Sequence, residues 1–480
     1  MRFSHLSTAV WASSLPQALA AAYKPDYSKY NDGACVDVDV AVIGGGSAGI
    51  HAAIHLKDAG AKVVVIEKKS QIGGHAETYV NPKTKIPANI GVVLFEDTTI
   101  VQNYFDRLKV ASTKVSPADL GGETKTYDFT LGIPVPAQSE AQQAASQQAI
   151  GAAVLAYTQN VLSKYPWVDQ GYLVPQPVPK ELTLPFGEFA RKYKFEALLP
   201  VISQFNWYPG NITTIPALYG IKSLGPGLLK SFTAQFIVPK SGDTRSLYRA
   251  AATELGSSVL LNSDVLYVDR HDKGVTLVVK QKNQKPKKIN ARKLVVAIPQ
   301  TIKNVGNYDL STKERSLFSK FSAFTYIAGV ANIPGLDVSL QNVGAFTPAN
   351  VPLIPGSNGF SASGSPGQFL LGVAFDGADY TVEDGKAVIR RELTTLAKVG
   401  GVPADAAKKV TFPYLSNHAP YNLRVSGKEI AAGFYHQLLS LEGSRNTYWT
   451  GAAFAGHNSG AIWTWNEDTL LPQIKKDLGL

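Results

Sequence analysis

The sequence predicts an α/β protein: a parallel sheet built from a strand–helix–strand unit, joined to a second part of α+β character. Three observations carry this reading. Val36 to Ile43 reads VDVDVAVI, an apolar-rich strand that runs straight into Gly44-Gly45-Gly46-Ser47-Ala48-Gly49. Ile50 to Leu56 then places alanine and apolar residues at helical spacing, and Ala61 to Ile66 (AKVVVI) reads as a second buried strand. Finally, 480 residues with 45% hydrophobic and 18% charged composition suit a folded chain of two or more units, and exclude a disordered or fibrous one.

Composition narrows the function classes. The formal net charge is +10, yet the basic residues are scattered. Five lysines between Lys280 and Lys288 lie between two strand-like runs and read as a solvated hairpin, so no nucleic-acid surface is expected. No apolar run is long enough for a spanning helix, so no stable membrane anchor is expected. The single cysteine, Cys35, excludes an intramolecular disulfide and a CxxC redox pair. It reads as a small packed residue ahead of the first strand.

Residues 1–20 carry Arg2, a short apolar stretch and a terminal Ala18-Leu19-Ala20, the pattern of a cleaved signal peptide. With the sequon Asn211-Ile212-Thr213 this implies a secreted or secretory-pathway glycoprotein.

The glycines at 44, 46 and 49 satisfy G-x-G-x-x-G between strand and helix. Gly44 permits the tight turn, and Gly46 lets backbone and Ser47 approach a pyrophosphate. Gly49 lets helix and strand pack closely, while the helix N-terminus offers free N–H groups to the anion. Glu67, at the end of the second strand, is placed to accept hydrogen bonds from a ribose diol and to disfavour a 2′-phosphate. The unit is thus a Rossmann-like dinucleotide site. Lys68 and Lys69 follow, then Gly73-Gly74-His75, and a Gly-Gly pair beyond the ribose acid points to FAD.

Here the chain resembles the flavin-containing amine oxidoreductase superfamily, whose pattern runs GxGxxG, acid, then GGR or GGH. Two further stretches fit: Asn262 to Val265 with Ala291 to Pro299 (ARKLVVAIP), and Arg445 to Ala452 (RNTYWTGA). The resemblance implies that Val265 meets the adenine and that Gly451 and Ala452 flank the flavin end. Within the superfamily the chain is most similar to the fungal β-cyclopiazonate dehydrogenase-like branch, through GGHAETYV (73–80), LPFGEFA (184–190), IPALYGIK (215–222) and RNTYWTGAAFAGHNSG (445–460). That branch implies work in secondary-metabolite biosynthesis. The family fold is the GR2/amine oxidase type, with a discontinuous FAD-binding domain (36–110, 235–305 and 430–480) and a substrate domain (111–234 and 306–429).

Departures from the pattern matter. True amine oxidases keep a lysine opposite the flavin on a central strand of the substrate domain, and here the resemblance puts Thr325 or Tyr326 there. Ala452 replaces the glutamate of the terminal motif, and Asn89 stands where relatives often have an acid. With no C-terminal cysteine, FAD is expected to be held non-covalently.

Within the second part, a helix is expected from Ala144 to Leu162, a proline-rich stretch from Pro166 to Pro185, and strands at Tyr326–Ala331, Phe369–Phe375 and Val410–Pro413. A second helix should cover Lys386 to Val399. No second GxGxxG follows a strand, so no separate NAD(P)H domain is expected and O2 is the simplest electron acceptor, though another acceptor would serve.

Candidate catalytic residues are His457, Tyr326 and Trp465, the last beside the flavin-end segment with Trp463. His75, His418, His436 and Tyr448 are further acid–base candidates. Phe205, Trp207, Tyr208, Phe321 and Phe324 are candidate cavity aromatics. No hydrolase triad or metal-ligand spacing stands out, so no metal is expected. The function expected is an FAD-dependent oxidoreductase that takes hydride from a small apolar metabolite to flavin N5. Two alternatives stay open: a redox-neutral isomerase of a polyenoic fatty acid, and a flavoprotein that binds a pathway intermediate without turnover.

Overall fold

The computed structural model describes residues 35–480 apart from 121, 208 and 209. Residues 1–20, where a signal peptide is expected, and Tyr208 lie outside the described residues. Among the described residues, no helix is long and apolar enough to cross a membrane.

A seven-stranded sheet forms the first part. Its central strand, Cys35–Ile43, pairs in parallel with Val63–Ile66 on one side and Lys287–Val296 on the other. Val40 to Ile43 are at most 4% exposed, as both faces of this strand are covered, which is why its sequence turns from alternating to continuously apolar. The helix Ser47–Asp58 returns the chain from Ile43 to Val63. Val259–Leu260 extends the parallel edge beyond Val63–Ile66. Ser263–His271, Gly274–Gln281 and Lys287–Val296 form an antiparallel meander, and its last turn carries the lysine hairpin. The C-terminal half of Lys287–Val296 pairs with Thr447–Trp449. Four strand ends, at Ile43, Ile66, Val296 and Trp449, therefore converge on one edge, where open α/β sheets hold their ligands.

The second sheet has eight strands, in the order Thr411–Asn417, Ser322–Asn332, Gln368–Asp376, Gly356–Ala362, Ser339–Asn342, Thr124–Asp128 and Ile133–Val135, with Tyr421–Arg424 also on Ser322–Asn332. Side chains alternate along Ser322–Asn332 with the strand period of two. Ile327 and Ala331 join Val388, Ile389, Leu393 and Leu396 of the helix Val382–Lys398 in one core, whereas Tyr326, Ala328 and Val330 face the other way with Ile90.

The expected helices appear with earlier starts. The first runs Glu140–Tyr157 and continues as one wider turn through Leu162, because Ser139 and Gln142 close a capping box ahead of it. The second begins at Val382, where Thr381 and Asp384 do the same. Cys35 corrects the sequence reading: it is exposed and is the first residue of the strand, with Asn290 Nδ2 at 3.1 Å from its Sγ.

Candidate active site

Between the two sheets lies one continuous cavity of about 900 Å³. Its nucleotide end is built by glycine. A Cβ on Gly49 would fall 2.0 Å from the Gly44 carbonyl oxygen, so only glycine lets the helix Ser47–Asp58 sit this close to the strand. Gly44 adopts φ +107°, and Gly74 packs so tightly on the loop that a Cβ there would lie 2.9 Å from Gly46 Cα. Gly73 does not line the cavity: its amide donates to the Gly45 carbonyl at 2.8 Å and fastens the second glycine pair to the first. Gly73 and Gly49 shape the loop from behind. Gly44, Gly46, Ser47, Glu67, Lys68, Gly74, His75, Val265, Gly451 and Ala452 all line the cavity.

Glu67 is 7% exposed. Its Oε2 accepts from the Gly45 amide and its Oε1 from the Lys69 amide, each at 2.7 Å. Each carboxylate oxygen keeps capacity for a second donor, such as a ribose hydroxyl. A Cβ at Gly46 would meet only Gly74 Cα, at 3.6 Å, so the loop backbone is open to a ligand. Ser47 Oγ accepts from Trp463 Nε1 at 3.0 Å and lies 3.3 Å from Ser459 Oγ, which ties the first helix to the C-terminal one. Asn89 shows why an acid would fail in its place. Its amide donates to the Gly242 carbonyl at 2.9 Å while its oxygen accepts from the Thr244 amide at 3.0 Å, and a carboxylate cannot do both.

At the other end, the strand period decides between Thr325 and Tyr326. Tyr326 lines the cavity, whereas Thr325 points to the opposite face and donates to the Gly377 carbonyl at 2.8 Å. The Tyr326 ring stacks on Tyr421 at 4.9 Å and 23°. Trp207 and Phe205 also line this space. Phe321 packs edge-on against Phe434, and Phe324 lies under the Arg424 guanidinium at 3.8 Å.

Trp465 requires a correction. Its ring is 1% exposed and absent from the cavity wall; Nε1 faces the Trp449 carbonyl at 3.4 Å, and Gly171 is held so close that a Cβ there would strike the indole. It is a packing residue, as is Tyr448, whose hydroxyl donates to Asp477 behind the sheet.

Three imidazoles share the wall beside Tyr421. His75 stacks on His418 with centroids 4.3 Å apart and on His457 at 6.3 Å. Enclosure by protein lowers the pKa of His75 and of His457, and the neighbouring His418 lowers both further. His457 opens into the cavity and accepts the Asn422 amide on Nε2 at 3.0 Å, so its proton sits on Nδ1 and the ring is a donor there. His418 is different. It is 2% exposed, both ring nitrogens lack a hydrogen bond, and Nε2 lies 3.7 Å from Glu77 Oε2. Glu77 is 2% exposed and bound by Lys69 Nζ at 2.6 Å, the Tyr414 hydroxyl at 2.9 Å and the Ser416 hydroxyl at 3.1 Å. Burial opposes its ionisation, but the facing His418 ring and the bonded Lys69 ammonium outweigh that and hold its pKa far below the usual range. The sequence names His418 without setting it apart, because its carboxylate partner is 341 positions away (418 minus 77) and no local pattern joins them.

Charge is unevenly spread. Glu67, Lys68, Lys69, Glu96, Asp264 and Lys303 line the nucleotide side, and burial lifts Glu96 to a pKa of about 8, with Asp169 adding to the rise. Among the described residues that line the cavity from the second sheet, such as Tyr326, Ala328, Leu370, Leu371, His418 and Tyr421, none is Asp, Glu, Lys or Arg.

Comparison with known proteins identifies the lineage. The chain is 54% identical to the FAD-dependent oxidoreductase dpchF of Colletotrichum higginsianum over the full length of both. It belongs to the fungal FAD-dependent oxidoreductases. Within this family it is 31% identical to the beta-cyclopiazonate dehydrogenase of Aspergillus oryzae, covering 90% of this chain and 92% of that one. Residues 42–108 match the family described as an NAD(P)-binding Rossmann-like domain. The fold is shared with the CLA-producing fatty acid isomerase from P. acnes (TM-score 0.72, 20% identity, 91% of this chain and 98% of that one). It is shared too with wild-type putrescine oxidase bound to putrescine (TM-score 0.61, 16% identity, 92% and 100%). The enzyme is an FAD-dependent oxidoreductase, and the glycine cradle and Glu67 fit that cofactor.

Proposed function

We propose that this enzyme oxidises a small, largely apolar metabolite in a secondary-metabolite pathway. The observation that carries this is the neutral, aromatic wall presented by the second sheet. An enzyme that grips a free ammonium by charge needs a carboxylate facing the substrate, and Glu77 is already spent on Lys69, Tyr414 and Ser416 behind the wall. Tyr326 and Tyr421 stack on each other at 4.9 Å, which leaves no gap between the two rings for a cation. Tyr326, Trp207 and Tyr421 offer flat apolar surface instead.

Bound FAD supplies the two-electron acceptor. The remaining work falls to the chain. The loop around Gly46 and Ser47 and the carboxylate of Glu67 would hold the nucleotide half, with Val265 on its adenine side and Gly451–Ala452 beside the flavin. His418, buried, unpartnered and backed by the Glu77 carboxylate, accepts the substrate proton; Glu77 stabilises the imidazolium formed. His457 donates from Nδ1 to a substrate oxygen or nitrogen. Non-covalent retention of FAD, O2 as final acceptor, and secretion after removal of residues 1–20 belong to the same proposal.

Anaerobic stopped-flow mixing with indole alkaloids, amines and polyenoic acids, followed by air, tests this. Bleaching of the oxidised flavin band that lasts until oxygen enters supports the proposal. Product formed without lasting bleaching would make the enzyme a redox-neutral isomerase. Failure of every ligand to bleach the flavin would favour a binding protein.

A further inference from the structure

Away from the cavity, His51 and His55 stand one turn apart on the helix Ser47–Asp58, and Glu467 meets them from the segment Asn466–Leu470. One nitrogen or oxygen from each lies within 4.8 Å of the other two. His51 Nε2 is 3.4 Å from Glu467 Oε1, and His55 Nε2 is 3.6 Å from the same oxygen. Both nitrogens are buried, and neither makes a hydrogen bond. The His51 side chain is 0% exposed.

These separations discriminate between two readings. An imidazolium–carboxylate hydrogen bond closes to about 2.7–2.9 Å. Donors around a tetrahedral zinc, at about 2.0–2.1 Å from the metal, sit about 3.4 Å from one another. We propose that His51, His55 and Glu467 form a zinc site of two imidazoles and one carboxylate, with water completing the tetrahedron on the side where Glu467 is 37% exposed. Burial, the largest cause, lowers the pKa of both histidines, that of His51 to about 4, which keeps them in the neutral form that binds metal.

The neighbours suit this use. The nearby guanidinium of Arg107 is paired with Asp58 and Glu254. Asn466, next to Glu467 in the chain, is fixed by its own bonds: Nδ2 donates to the Ala48 carbonyl at 2.9 Å and Oδ1 accepts from the Thr450 hydroxyl at 2.5 Å, which anchors the ligand segment to the helix that carries His51. Trp463 stacks on His51 at 5.5 Å and 8°. The metal would clamp the helix whose N-terminus faces the nucleotide to the C-terminal helices, with no part in the chemistry. The i, i+4 histidine spacing is present in the sequence, but its third ligand is 412 positions further on (467 minus 55), so the expectation of no metal is one this proposal reverses.

The test uses the FAD-loaded full chain dialysed against zinc sulfate at neutral pH, with bound zinc measured by atomic emission. One zinc per chain is expected, lost in His55→Gln and in Glu467→Gln, with FAD content and circular dichroism unchanged. Copper(II) should quench tryptophan fluorescence through Trp463 in the wild type and not in these variants. Wild type that holds no zinc, or variants that hold as much, would overturn the site. If Glu467→Gln fails to fold, His55→Gln decides alone, since that side chain is partly exposed.

Discussion

At its nucleotide end the cavity is walled by glycine backbone and fixed charge, whereas at its other end it is walled by rings and neutral side chains. The first end must hold an invariant ligand, so each position answers to one distance: Gly49 to the Gly44 oxygen, Gly74 to Gly46. The second end must accept a particular metabolite, so many apolar surfaces of similar volume would serve. Strict local geometry leaves a local pattern in sequence. A surface assembled from strands far apart in the chain leaves none.

The largest effect should come from breaking the first end. Gly49→Val drives a side chain into the Gly44 carbonyl, with an expected cost of about 3 kcal/mol. FAD content of the purified protein should fall with it, read from the ratio of flavin to protein absorbance. Gly60→Ala is the control: nothing lies within 4 Å of its Cβ position. The residual strain of its φ of +89° should cost about 1 kcal/mol and leave FAD in place.

At the second end, His418→Gln should lower kcat by about 10²–10⁴-fold with full FAD occupancy. A loss below tenfold would reduce His418 to a packing residue.

How much was legible follows the same division. The strand at 36–43, the glycine loop, Glu67 and the Gly73-Gly74 pair are contiguous, and each answers to a rule of spacing. Tyr326 was legible as one of two residues, since a strand of unknown register offers either face. Trp465 departs from the expectation because proximity in sequence to Gly451 is not proximity in space: Trp465 lies on the helix Ser459–Trp465, which turns its indole toward Trp449 and Gly171. The pairing of His418 with Glu77 needed two elements of different sheets to meet, and no periodicity encodes that.

A smaller effect separates the scaffold from the site. Glu392 is 2% exposed and bonded to the Ser357 amide at 2.8 Å and hydroxyl at 2.6 Å, and burial raises its pKa from 4.5 to about 7. Between these values the folded state binds more protons than the unfolded one. Stability therefore falls as pH rises through the window, by about 3 kcal/mol in total at 1.36 kcal/mol per unit. Glu392→Gln keeps the shape without the charge. It should be more stable than the wild type above pH 7, with the advantage vanishing toward pH 4.5 in urea unfolding curves, and turnover should not change.

The smallest effect is the most informative about the aromatic wall. The Tyr326 hydroxyl lies against Gly372, so close that a Cβ there would fall 2.0 Å from it, and the ring lies stacked on Tyr421. Burial also raises the Tyr326 pKa well above its ordinary value, so the phenol stays protonated. A surface role therefore rests on the ring and not on the hydroxyl. Tyr326→Phe should change kcat by well under tenfold, since loss of a proton-transfer group costs about 100-fold or more. Tyr326→Ala should instead raise KM, by removing stacked surface. If Tyr326→Phe loses as much activity as His418→Gln, the two ends of the cavity differ less than their composition suggests: the aromatic wall would carry chemistry as strictly placed as the glycine loop's.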